Sequence, residues 1–243
     1  MSAPHYFGGF ELGFLLAKTV DDWPNIHPFH EWMHNWGGYD KKMLENASCH
    51  AEMYVSLMAS DAISVNNQTG IVDKTPAYVY DLDEVMRRAP GVPVVVSHKT
   101  RENQEHSFLN RMSNRTAQVE ERMRRLESGV ARAQKLFPAG VKIVQIESIE
   151  ACVRETQLNN NTVPFPNCTQ ASVTMQDAFT FLGMVWDDDY FTLSAYHDKK
   201  ADTRRMSSLA SASVYATKDA RDCSTSCSLR RGTFASTTAG QMR

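Results

Sequence analysis

The sequence predicts an α/β fold in which a parallel sheet is flanked by helices in three layers. Two β-branched runs, at 92–97 (VPVVVS) and 141–146 (VKIVQI), are typical of buried parallel strands. A long helix predicted over 103–137 separates them, because its apolar positions recur every seven residues. Strand, helix and strand in this order indicate a right-handed crossover unit within one parallel sheet.

Further elements complete one predicted domain over residues 1–200. An aromatic strand is expected at 5–7, and helices are expected over 41–62, 81–88 and 175–182. From residue 201 the composition changes, because 21 of the last 43 residues are Ser, Thr or Ala and no apolar periodicity is visible. We therefore expect residues 201–243 to be a disordered tail.

The overall composition excludes several classes of protein. The 243 residues carry 26 Lys and Arg against 28 Asp and Glu, and 42% are hydrophobic, which is ordinary for a globular protein rather than a collagen-like or disordered one. No apolar run approaches the ~20 residues that a membrane-spanning helix needs. The N-terminal residues also lack the basic and apolar regions of a signal peptide.

Charge is unevenly distributed along the chain. Residues 1–86 carry 4 basic and 12 acidic side chains, whereas residues 87–135 carry 11 basic and 5 acidic ones. A basic middle third favours an anionic partner such as phosphate, sulfate or an acidic polymer. The alternative is a solvated, Arg-rich helix face. A nucleic-acid partner is not expected, because no aromatic side chains accompany the arginines of this segment, which include Arg122, Arg124 and Arg125.

Cysteines and glycosylation triplets bear on the compartment. The five cysteines stand at 49, 152, 168, 223 and 227, and none forms a Cys-x-x-Cys pair. Cys152 and Cys168 flank a polar loop that a disulfide would close, although two unpaired thiols are the alternative. Five Asn-x-Ser/Thr triplets favour the Golgi lumen or another secretory compartment. A cytoplasmic location stays an alternative, because the sequence shows no targeting segment.

Four sequence features resemble motifs of one enzyme family. They are the segment 72–78 (VDKTPAY), the pair Lys99 and Ser107 eight residues apart after the Val-rich strand, the segment 145–149 (QIESI) and the segment 181–184 (FLGM). In order and spacing they resemble the Golgi-type carbohydrate sulfotransferases, particularly the heparan-sulfate group. The resemblance covers about residues 5–200.

The resemblance implies an activity and a set of site residues. It implies transfer of sulfate from 3′-phosphoadenosine-5′-phosphosulfate (PAPS) to a hydroxyl group, with a carbohydrate as the acceptor and no metal required. Lys99 and Ser107 match the residues that hold the 3′-phosphate of the donor, and Lys74 matches the lysine near the transferred sulfuryl group. A strand that runs into a helix N-terminus is also a natural phosphate site on physical grounds.

The sequence departs from the family pattern in three places. No Gly-rich phosphate loop is present, and the segment 5–7 (HYF) resembles a family segment that follows that loop, so we expect an N-terminally truncated member. The family's glutamate base would fall where Ser2 and Ala3 stand, which leaves Glu11 and His5 as candidate bases. Lys99 replaces an arginine, which removes a bidentate contact with phosphate.

Two other functions stay open at this stage. One is a catalytically inactive relative that binds an anionic glycan or nucleotide. The other is a metal-stabilised interaction domain, because His27, His30 and His34 are spaced three and four residues apart beside Glu31.

Overall fold

A five-stranded mixed sheet forms the centre of the molecule. The computed structural model describes residues 6–8, 11–36, 46–59, 70–111, 116–158, 169–186 and 211–217. The strands are β1 (Tyr6–Gly8), β2 (Gly70–Thr75), β3 (Val94–His98), β4 (Val141–Gln145) and β5 (Ser211–Thr217). Their order in the sheet is β1-β2-β5-β3-β4. β1 is parallel to β2 and β3 is parallel to β4, while β5 runs antiparallel to both of its neighbours.

Seven α-helices lie in the described ranges. They are α1 (Phe29–Trp36), α2 (His50–Ala59), α3 (Leu82–Arg88), α4 (Arg101–Arg111), α5 (Thr116–Leu136), α6 (Glu147–Leu158) and α7 (Thr169–Phe181). Short 3₁₀ segments cover Phe14–Leu16, Val20–Asn25 and Pro76–Asp81. None of the helices in these ranges combines the length and the apolarity that crossing a membrane requires.

Helices cover both faces of the sheet. On one face, buried side chains of α2, α3 and α5 form a single core with Ile71, Val94 and Val96 of the strands. On the other face, Leu182 and Met184 pack with residues that alternate with these along β2 and β3, such as Val72 and Val95. The protein is therefore mixed α/β, with a layer of helix on each side of the sheet.

The predicted crossover between two parallel strands is confirmed. β3 and β4 pair in parallel with Val94 opposite Val141, and α4 and α5 connect them along the chain. The helix predicted over 103–137 is matched by α4 up to Arg111 and by α5 from Thr116, and residues 112–115 between them lie outside the described residues.

The sheet is not wholly parallel, and β5 is the reason. The sequence predicts disorder throughout 201–243, whereas residues 211–217 form the strand between β2 and β3. This segment, SASVYAT, holds Val, Tyr and Thr, which favour strands. The high Ser and Ala content of the surrounding sequence concealed that signal.

Other boundaries also differ from the predictions. Of the helix predicted over 41–62, His50–Ala59 are helical (α2) and residues 46–49 are not, while residues 41–45 and 60–62 are not described. α7 begins at Thr169, six residues before the predicted start, since Thr169-Gln170-Ala171 extend the helix. The segment predicted as a strand end at 145–149 becomes the first turn of α6 from Glu147 onward.

Candidate functional site

Charged side chains follow the carboxyl ends of four strands. Because β2 and β3 are both antiparallel to β5, strands β1 to β4 all run in the same direction. Glu11 follows β1, Lys74 lies at the end of β2, Lys99 follows β3 and Glu147 follows β4. The edge at which parallel strands end is where ligands bind in open α/β sheets. We therefore take this edge as the candidate active site.

Glu11 and Lys74 interact electrostatically at this edge, and each is half-buried. Burial raises the pKa of Glu11 above its ordinary 4.5, and the positive charge of Lys74 opposes that rise. Burial likewise lowers the pKa of Lys74 below 10.5, and the negative charge of Glu11 opposes it. Within the described residues neither forms an ion pair of 4.0 Å or less. The charges of Glu11 and Lys74 therefore affect each other's pKa although the two side chains do not form a direct ion pair.

A fully buried carboxylate lies next to this pair. Asp73 has no exposed surface and accepts four hydrogen bonds. Its Oδ1 accepts from the backbone N–H of Leu12 at 3.3 Å and from the Thr75 hydroxyl at 2.7 Å. Its Oδ2 accepts from the hydroxyls of Tyr54 at 2.7 Å and Tyr78 at 2.5 Å. Burial raises the pKa of Asp73, and these hydrogen bonds oppose the rise.

The same cluster holds the segment that follows β1 against β2. The Gly13 N–H donates to Thr75 Oγ1 at 3.1 Å, and the Leu15 N–H donates to the Tyr78 hydroxyl at 3.3 Å. Gly13 has φ of 66°, and a Cβ there would lie 2.5 Å from the ring of Phe29. These contacts fix residues 12–15 against the core face of β2, and Glu11 directly precedes them.

The predicted donor residues Lys99 and Ser107 are both buried, at 8% exposure. Lys99 follows β3, and Ser107 lies in the second turn of α4. The Lys99 ammonium pairs with Glu150 Oε1 at 2.6 Å, which compensates its charge in this buried position. The Thr100 N–H also donates to the Glu147 carboxylate, so two links join the end of β3 to the first turn of α6.

The remaining candidates from the sequence fare differently. His5 lies outside the described residues, which leaves Glu11 as the candidate base with a known environment. His27 contacts Glu31 at the surface, and the His30 ring packs edge-on against Trp23 at 4.8 Å. In the described ranges no three His, Cys, Asp or Glu side chains come together to hold a metal ion.

The basic face of α5 is paired locally. Arg124 binds Glu121 one turn away, and Arg125 lies 5.2 Å from the centroid of the Tyr80 ring and 3.4 Å from Asp81. These contacts favour the solvated helix face over a binding site for an acidic polymer.

Cys49 and Cys152 are both disulfide-bonded. The alternative of an unpaired thiol is therefore wrong for Cys152, and Cys168 lies outside the described residues.

Two important residues escaped the sequence analysis. Asp73 could have been found, because it alternates with Ile71 and Thr75 in a strand that buries this set, and a buried carboxylate needs several donors. Glu150 could not, because its pairing with Lys99 depends on how α6 leaves the sheet edge.

Comparison of the chain with protein-family models, curated proteins and solved structures finds no match.

Proposed function

We propose that this protein is a sulfotransferase that uses PAPS as the donor and a carbohydrate hydroxyl as the acceptor. The observation that carries the proposal is the coupled pair of Glu11 and Lys74 at the carboxyl edge of the parallel strands. A carboxylate base and a cation are the two groups that sulfate transfer to a hydroxyl requires. The proposed fold is correspondingly sulfotransferase-like, with β5 as an added antiparallel strand.

The proposed chemistry is an in-line displacement at sulfur. The donor supplies the activated sulfuryl group. Glu11 accepts the proton of the acceptor hydroxyl while that oxygen forms its bond to sulfur. The bond between sulfur and the bridging phosphate oxygen breaks, and Lys74 stabilises the negative charge that develops on that oxygen. The products are the sulfate ester, adenosine 3′,5′-bisphosphate and a proton held on Glu11.

Lys99 and Ser107 are the proposed ligands of the donor's 3′-phosphate. An ammonium group has three donors, and Glu150 engages the Lys99 ammonium at 2.6 Å, which leaves donors for phosphate oxygens. The Glu150 carboxylate also repels the phosphate. We therefore expect the donor to bind more weakly than it would to an uncompensated lysine.

The Lys99–Glu150 pair also favours a second candidate function. Lys99 follows β3, whereas Glu11 and Lys74 lie at β1 and β2, so binding of an anionic nucleotide or glycan at Lys99 does not require the pair proposed to carry out the transfer. Binding without measurable transfer would identify this inactive relative.

The proposed location is the Golgi lumen or another secretory compartment. Disulfides at Cys49 and Cys152 support an oxidising environment, since such bonds are rare in the cytosol.

Transfer of radiolabelled sulfate from PAPS to a neutral and to an acidic glycan tests the proposal. We expect Glu11→Gln to lower the rate by about 10²–10⁴-fold and Lys74→Ala by about 10²–10³-fold. The matched controls are Glu120→Gln and Lys135→Ala on the exposed side of α5, and each should stay within about twofold of the wild-type rate. Equal losses in the controls, or no transfer by the wild-type protein to either glycan, would contradict the proposal.

A further inference from the structure

Leu12 and Gly13, which directly follow Glu11, are hydrogen-bonded to side chains of the strand that carries Lys74. In β2, Asp73 and Thr75 alternate with Lys74, so that these two residues belong to the core face and Lys74 to the opposite one. Across this strand, Asp73 accepts from the N–H of Leu12 and Thr75 accepts from the N–H of Gly13.

The hydrogen bonds form one directed chain. The Gly13 N–H donates to the Thr75 hydroxyl, and that hydroxyl donates to Asp73 Oδ1 at 2.7 Å. Oδ1 of Asp73 also takes the Leu12 N–H, so a single carboxylate oxygen gathers two consecutive backbone groups, one of them through Thr75. On the other side of the carboxylate, the hydroxyls of Tyr54 and Tyr78 fix Oδ2.

A buried carboxylate is costly unless hydrogen-bond donors compensate it. Asp73 is wholly buried, and it accepts from the hydroxyls of Tyr54, Tyr78 and Thr75 and from the backbone N–H of Leu12. What the carboxylate supplies is a rigid acceptor for backbone N–H groups beside Glu11.

We infer that Asp73, acting together with Thr75, is a positioning residue that fixes Glu11 relative to Lys74 by holding the backbone of Leu12 and Gly13 on β2. This inference rests on the proposed function, because it assigns catalytic importance to the place of Glu11. The structural part of the inference, that these hydrogen bonds anchor residues 11–15, can be tested without measuring any activity.

Amide hydrogen exchange on the full chain tests the anchoring. Thr75→Val removes the hydroxyl at nearly constant shape, and Asp73→Ala removes the whole acceptor. In both variants we expect exchange of residues 11–15 to rise about tenfold or more relative to exchange in α5, while Thr75→Ser restores protection. Tyr54→Phe is the matched control: it removes a hydrogen bond to Oδ2 and should leave residues 11–13 within about twofold.

The kinetic readout tests the positioning. In Thr75→Val we expect kcat to fall about tenfold with the KM for the donor nearly unchanged, and Thr75→Ser to recover it. Should residues 11–13 exchange no faster in Thr75→Val than in Tyr54→Phe, the inference is overturned whatever the activity. Faster exchange with unchanged kcat overturns the positioning role but leaves the proposed function intact. Faster exchange in a protein that never transfers sulfate supports the anchoring and contradicts the proposed function.

Discussion

Glu11 and Lys74 influence each other's protonation, and this coupling has consequences at the scale of single residues. A glutamate acts as a base only when it is ionised, so its pKa sets the pH below which transfer is lost. Burial raises that pKa and the Lys74 charge restrains the rise. The acidic limb of the pH profile should accordingly lie above the 4.5 of an ordinary glutamate.

Replacing the lysine by a neutral residue should move the titration of Glu11 in a defined direction. In Lys74→Met the cation that favours the carboxylate form is gone while burial persists, so the pKa of Glu11 should rise further. Carbon-detected NMR titration of the Glu11 side chain measures this without any activity. A pKa that falls or stays constant would show that the two groups are not coupled, and Lys135→Met provides the control.

At the scale of secondary-structure elements, the backbone of α5 closely approaches the 3₁₀ segment Pro76–Asp81. A Cβ at Gly129 would lie 2.2 Å from the carbonyl oxygen of Val79 and 2.7 Å from that of Tyr80. Backbone atoms cannot move aside as a flexible side chain can. Glycine therefore lets α5 lie directly against the segment that continues from β2.

Gly129→Ala should destabilise the protein even though alanine favours helices. The added methyl group forces α5 away from Val79, at an expected cost of about 1–3 kcal/mol in the free energy of unfolding. Gln134→Ala in the same helix, at an exposed position, should change stability by less than about 0.5 kcal/mol. Denaturant unfolding compares the two, and equal stabilities would refute the close approach.

At the scale of the whole molecule, β5 lies between two parallel pairs of strands and joins them into one sheet. Ser211–Thr217 pairs with β2 on one side and with β3 on the other, so among the described strands β5 alone connects the two parallel pairs. Residues from the C-terminal part of the chain thus align the half of the sheet that carries Glu11 and Lys74 with the half that carries Lys99.

Proline in the middle of β5 should disrupt this connection. Val214 is opposite Asp73 on one neighbour and Val94 on the other. Val214→Pro removes a ladder donor and restricts the backbone, at a cost of about 3 kcal/mol or more, so we expect Tm to fall by about 6–12 °C. Val214→Thr keeps a β-branched side chain and should shift Tm much less. A Tm unchanged by the proline would mean that β5 does not hold the sheet together.

Local patterns predicted local features well, and contacts distant in the chain were the ones missed. The parallel pair of β3 and β4 and the position of Lys99 after a strand followed from two β-branched runs. Lys74 was identified only by the resemblance of the segment 72–78, and the strand that carries it, β2, was not predicted. The insertion of β5 between β2 and β3 depends on pairing between residues about 140 apart in the chain, such as Asp73 and Val214. The Lys99–Glu150 pair was missed for the same reason, because a one-dimensional pattern carries no record of it.

Calorimetric titration with adenosine 3′,5′-bisphosphate tests the central claim, nucleotide binding at the sheet edge, most directly. We expect the wild-type protein to bind the bisphosphate, Lys99→Ala to bind at least about tenfold more weakly, and Ser107→Ala to lose a smaller factor. Glu150→Gln removes the competing carboxylate and should bind several-fold more tightly than the wild type. Absence of binding at millimolar ligand, or equal affinity in the wild type and Lys99→Ala, would contradict the claim.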